Sequence, residues 1–201
     1  KIQPELQQGS HHHQSGIASA HDRISFKHVI SQADLKPDTH AQHLFIDYLN
    51  GSLLTYQQLP SDNNEILCFQ SACDQILINK QIYLKQNELV VTYRSEGAVD
   101  GNKSLRLQTE INLAMPSCDG PGGRYRQQQR NLAGFGLPLE IHDLESITLE
   151  DDTLKGSVII QTSREVIFQA QPHFSVSQSE GGFEKIMQAV SLTLTWPLSS
   201  R

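Results

Sequence analysis

Residues Leu105-Arg106-Leu107-Gln108-Thr109-Glu110-Ile111-Asn112-Leu113 alternate strictly. Leu, Thr and Ile hold the odd positions; Arg, Gln, Glu and Asn hold the even ones. A period of two sends the two sets to opposite faces of an extended strand. One apolar face and one wet face suit an antiparallel sheet that meets a core on one side only.

The same pattern continues on both sides of this stretch. On the N-terminal side, Asp100-Gly101 is a hairpin signal. Before it, Ile76-Leu77-Ile78, Ile82-Tyr83-Leu84 and Leu89-Val90-Val91-Thr92-Tyr93 predict a three-stranded meander, with turns at Asn79-Lys80 and Gln86-Asn87. On the C-terminal side, two Pro and three Gly make residues 116–123 a loop. Arg124 to Leu132 is basic and amide-rich and reads as a helix or a wet strand. Strands are then expected over Leu139–Leu149, Leu154–Thr162, Val166–Val176 and Ile186–Trp196, the last ended by Pro197.

His40 to Leu49 fits two descriptions. Asp38 or Thr39 could cap a helix that Asn50-Gly51 ends, while Leu44, Ile46 and Tyr48 alternate as in a strand. Residues 1–22 carry little apolar content and are expected to form a flexible lead. Residues 23–201 are expected to form a single antiparallel β-rich domain, a sandwich or a partly open barrel with one or two short helices. The length of 201 residues suits one domain.

Composition narrows the function classes. The formal net charge is −6, and an acidic chain is a poor partner for phosphate backbones, so no nucleic-acid role is expected. No run of 18 apolar residues occurs, so no membrane span is expected. Charged residues make up only 19%, and polarity comes instead from amides and hydroxyls, including 21 Gln. That balance suggests an extracytoplasmic setting: periplasm, cell surface or secreted. There Cys68 and Cys73, flanking a short polar stretch, could close a local disulfide across a hairpin and leave Cys118 free. Pairing of Cys118 with either of them stays open.

The candidate chemistry is sparse. On a helix, His40 and His43 would share one face at i and i+3, with Asp38 or Asp47 close enough to complete a metal site. His142-Asp143 lies near Ser146, but there is no Gly-x-Ser-x-Gly elbow. Glu150-Asp151-Asp152 reads as a solvated turn. The glycine-rich loop runs into Arg124, Arg126 and Arg130, three cations that could hold an anionic group. No metal or other cofactor is expected from these patterns.

Two short stretches, Leu89-Val90-Val91-Thr92-Tyr93 and Ser117-Cys118-Asp119-Gly120, resemble the soluble heads of type IV minor pilins. That family's hydrophobic N-terminal helix is missing from this chain, and no site residue is carried across. The expected function is therefore a non-catalytic extracytoplasmic module working through protein contacts or self-assembly, such as a pilin-like assembly or adhesion subunit. Two alternatives stand beside it: a β-barrel holding a small apolar ligand, and a hydrolase or metal-dependent enzyme using His40, His43 or His142.

Overall fold

A computed structural model describes residues 29–38, 41–97, 105–179 and 182–198. Twelve strands are found among them: β1 (Leu44–Leu49), β2 (Ser52–Leu53), β3 (Gln57–Leu59), β4 (Ile66–Cys73), β5 (Ile76–Lys85), β6 (Glu88–Glu96), β7 (Leu105–Leu113), β8 (Gly123–Gln127), β9 (Arg130–Gly134), β10 (Leu139–Asp151), β11 (Gly156–Ser179) and β12 (Gly182–Leu198). They form an eight-stranded sheet, β2-β1-β7-β12-β11-β10-β8-β9, and a four-stranded sheet, β3-β4-β5-β6. Every pairing is antiparallel. The two sheets pack as a sandwich, as the alternation requires. Neither sheet closes on itself, so the barrel form is set aside. Helical content among the described residues is one 3-10 turn, Gln32–Leu35.

Strand β7 runs from Leu105 to Leu113, and its odd positions face inward. They pair with an equally apolar set on β12: Leu105 with Leu198, Leu107 with Trp196, Ile111 with Leu192, Leu113 with Val190. This double stripe serves two cores. At one end Ile111, Val190, Leu192 and Leu194 join Tyr125, Phe135, Phe168, and Ile147 and Leu149 of β10. At the other end Leu105 and Leu107, with Leu49 and Leu54, pack against Ile76 and Ile78 of the four-stranded sheet. At roughly 25 cal/mol per Å² of apolar surface, these cores are the main source of stability.

Several elements differ from expectation for local reasons. His40 lies outside the described residues. Leu44–Leu49 is a strand, so the helix alternative is set aside. A bulge at Phe45, whose φ is 60°, turns Phe45, Asp47 and Leu49 inward. No turn occurs at Asn79-Lys80: β5 runs on from Ile76 to Lys85, and its turns fall at Asp74-Gln75 and Gln86-Asn87. The basic stretch is a hairpin, β8–β9, with the glutamine run at its turn. The two strands expected over Leu154–Thr162 and Val166–Val176 are one strand, β11, because a bulge opposite Leu144–Ser146 takes up the extra residues without ending the ladder. Pro172 sits in β11 beyond Ala170, where pairing with β10 has stopped, so its missing N–H costs no bond on that side.

The Cys68–Cys73 bridge is corrected. Both residues lie on β4, five positions apart, and face Gln81 and Ile76 across the ladder. At about 3.3 Å per residue their separation far exceeds disulfide reach. Cys68, Cys73 and Cys118 are all free thiols.

Candidate functional site

Two polar clusters stand out, and each joins residues far apart in sequence. The first gathers the glycine loop, the arginines and the acidic triplet. Antiparallel pairing sets Arg124 of β8 opposite Glu150 of β10, and Arg126 opposite Thr148. Arg124 donates two bonds to Asp152, at 2.9 and 3.0 Å, and one to Glu150 at 3.2 Å. Arg126 donates to the same Glu150 at 2.7 Å. Arg130 is exposed at the start of β9 and stands apart from this cluster. The expected anion-binding trio is therefore divided, and two of its members are already satisfied by carboxylates.

Asp151 points the other way from its neighbours and is buried. It accepts from the Ser117 backbone N–H (2.9 Å), the Ser117 hydroxyl (2.7 Å) and the N–H groups of Thr153 (2.9 Å) and Leu154 (3.0 Å). It thus ties the 116–123 loop to the end of β10. Burial pulls its pKa up, but the bonds from Ser117, Leu154 and Thr153 outweigh this and leave it below the usual carboxylate range. Arg126 first, then Arg124, lowers Glu150, and Arg124 lowers Asp152. A general acid needs a carboxyl held protonated. This cluster holds its three carboxyls ionised, so it suits binding rather than proton donation. A groove of about 500 Å³ runs beside it, lined by Arg126, Gln128, Thr148, Glu150, Lys155 and Ser157.

The second cluster was not visible in the sequence. Lys80, at an inward position of β5, is 5% exposed and Asp47 of β1 is 1% exposed. Lys80 Nζ donates to Asp47 Oδ2 at 2.7 Å and to the Phe45 carbonyl at 2.9 Å. The rings of Tyr56, Phe45 and Tyr93 surround the ammonium at 4.9, 5.5 and 5.6 Å. Tyr93 donates its hydroxyl to Asp47 Oδ1 at 2.8 Å and lies 3.2 Å from the Thr109 hydroxyl. Burial, then the charge on Asp47, pushes Tyr56 and Tyr93 well above the ordinary tyrosine range. The only sequence signal was the period itself: Ile76, Ile78, Lys80, Ile82 and Leu84 share one face.

Among the described residues, the candidate histidines His43 and His142 are not brought together. His43 is exposed, and its carbonyl accepts from Asn112 at 3.0 Å. His142 is exposed on β10, 2.9 Å from Glu140. Strands β7, β12 and β11 lie between β1 and β10. Among the described residues, no group of three or more His, Cys, Asp or Glu side chains could hold a metal ion.

The family described as alpha-amylase/4-alpha-glucanotransferase, C-terminal, matches residues 1–201. The chain belongs to this family. Its fold is similar to that in the crystal structure of 4-alpha-glucanotransferase from Thermococcus litoralis, with a TM-score of 0.58 and 18% identity. That likeness covers 82% of this chain and 27% of the other, so this chain spans about a quarter of that enzyme's length. No curated protein matches in sequence. Family membership overturns the pilin-like assembly or adhesion subunit: two five- and four-residue stretches cannot outweigh a match along the whole chain. The open sheets remove the apolar-ligand barrel, and among the described residues His43, beside β1, and His142, on β10, are separated by three strands. Among the described residues, no helix is long and apolar enough to cross a membrane.

Proposed function

We propose that this chain is the C-terminal β-sandwich of an enzyme that hydrolyses or transfers 4-α-glucan chains, with the carboxyls that perform the chemistry supplied outside it. The family match over residues 1–201 carries this reading. The ionised state of Glu150, Asp151 and Asp152 supports the second part, since none is poised as a general acid. The groove beside them offers guanidinium, amide, hydroxyl and carboxylate groups, which suit a hydroxyl-rich chain better than an apolar ligand.

The test is turnover of maltooligosaccharides by the complete enzyme and by this chain alone. Chain-length redistribution or hydrolysis is expected from the complete enzyme and none from the isolated chain. A complete enzyme inert toward every 4-α-glucan would overturn the proposal. So would turnover by the isolated chain.

A further inference from the structure

We propose that the bare end of the four-stranded sheet is a docking face for the catalytic part of the same enzyme. This rests on the reading of the chain as the C-terminal part of a larger glucan-acting enzyme. One face of β5 carries Ile76, Ile78, Lys80, Ile82 and Leu84. Exposure along it is 4% at Ile76, 0% at Ile78 and 5% at Lys80, but 74% at Leu84. Among the described residues, the eight-stranded sheet covers the first three positions and does not reach Leu84. The side chains beyond stay apolar, although water would accept any residue there.

The apolar run is also broad. Ladder pairing places Leu67 and Val91 beside Ile82, and Leu89 beside Leu84, all on this face. Leu67 and Leu89 are each 46% exposed. Single exposed leucines are ordinary, but five apolar side chains in two adjacent rows form a contiguous patch, and such patches mark interaction sites. The patch continues the face that already meets a partner layer within the sandwich. A partner is at hand: in the Thermococcus litoralis enzyme the matching region accounts for only 27% of the length. The occupant we infer is an apolar surface on that remaining part, which would extend the inter-sheet core past Lys80.

Backbone amide exchange is measured in this chain alone and in the complete enzyme, each as wild type and as the double variant Leu84→Asp/Leu89→Asp. Exchange over residues 82–91 should slow at least roughly tenfold in the complete enzyme, and the double variant should lose that protection. The variant chain alone should stay folded with a modestly lower unfolding temperature, because two carboxylates then lie opposite each other on a largely exposed face. Unchanged exchange at residues 82–91, or protection that survives the double variant, would overturn the docking face. So would concentration-dependent protection in the isolated chain with a dimer in sedimentation, which would assign the patch to a second copy. Glucan turnover, measured on the same enzyme, reports separately on the underlying reading.

Discussion

Lys80 and Asp47 meet at 2.7 Å between the two sheets, one contributed by β5 and the other by β1. Taking both charges out of water is costly, and their attraction offsets that cost only when the remaining donors and acceptors are also satisfied. The Phe45 carbonyl and the Tyr93 hydroxyl meet that condition. The pair joins the two sheets at a buried point of their facing surfaces.

Lys80→Met leaves Asp47 buried without its cation and should cost about 3–5 kcal/mol. The double variant Lys80→Met/Asp47→Leu should recover most of that loss. Denaturant midpoints of the wild type, both single variants and the double variant form the cycle that checks it. A double-variant loss equal to the sum of the two single losses would show that the pair is not coupled.

Alkaline stability follows from the tyrosines. Burial raises Tyr56, Tyr93 and Tyr125 above the ordinary tyrosine value of 10.0 in the folded state. A raised folded pKa gives stability that is complete below the unfolded value and is lost as pH rises past it. Stability should therefore fall above pH 10.0, the value these three groups regain on unfolding. Tyrosinate absorbance from the three should appear together with loss of circular dichroism. Ionisation of all 5 tyrosines before unfolding would contradict it.

Asp151→Asn keeps the shape and removes the charge. The amide offers one acceptor oxygen where the carboxylate used two, so one of the four donors is left unmatched. A loss of about 1–3 kcal/mol is expected. The lowered pKa of Asp151 adds a pH signature. Its share of stability is present above the ordinary carboxylate value and is lost as pH falls through the lower folded one. The wild-type and Asp151→Asn stability curves should therefore converge in acid, as thermal unfolding across pH would show.

Gly123→Ala tests the packing beneath the glycine loop. A methyl group there would lie 2.3 Å from Cδ2 of the Phe135 ring, which is fully buried against Tyr125. The ring has nowhere to move, and a loss of about 1–3 kcal/mol is expected. Replacing the ring with a smaller side chain, as in Gly123→Ala/Phe135→Leu, should give a smaller combined loss than the sum of the two single changes. Chemical denaturation of the three variants measures it.

The strands were largely legible and the site largely was not. Leu105–Leu113 and Val190–Trp196 announce themselves because pleating makes side chains alternate wherever one face is buried. Asn79-Lys80 misled because a Lys within an apolar run resembles a break, while its partner Asp47 lies 33 residues earlier on another sheet. Arg124 and Glu150 were each visible as charged residues, yet nothing local says that β8 pairs with β10 to bring them together. The Cys68–Cys73 bridge failed for a related reason: the hairpin turn falls at Asp74-Gln75, after both cysteines, so they share a strand.

Strand character, antiparallel pairing and an uncovered wet face are written into neighbouring residues, because the two-residue period is a property of the backbone over a few bonds. Which charge enters the interior, which carboxylate meets which guanidinium, and where the covering layer ends depend on what packs opposite. Those are set by the approach of β1, β5, β8 and β10 from distant parts of the chain, and burial exists only once that approach is made.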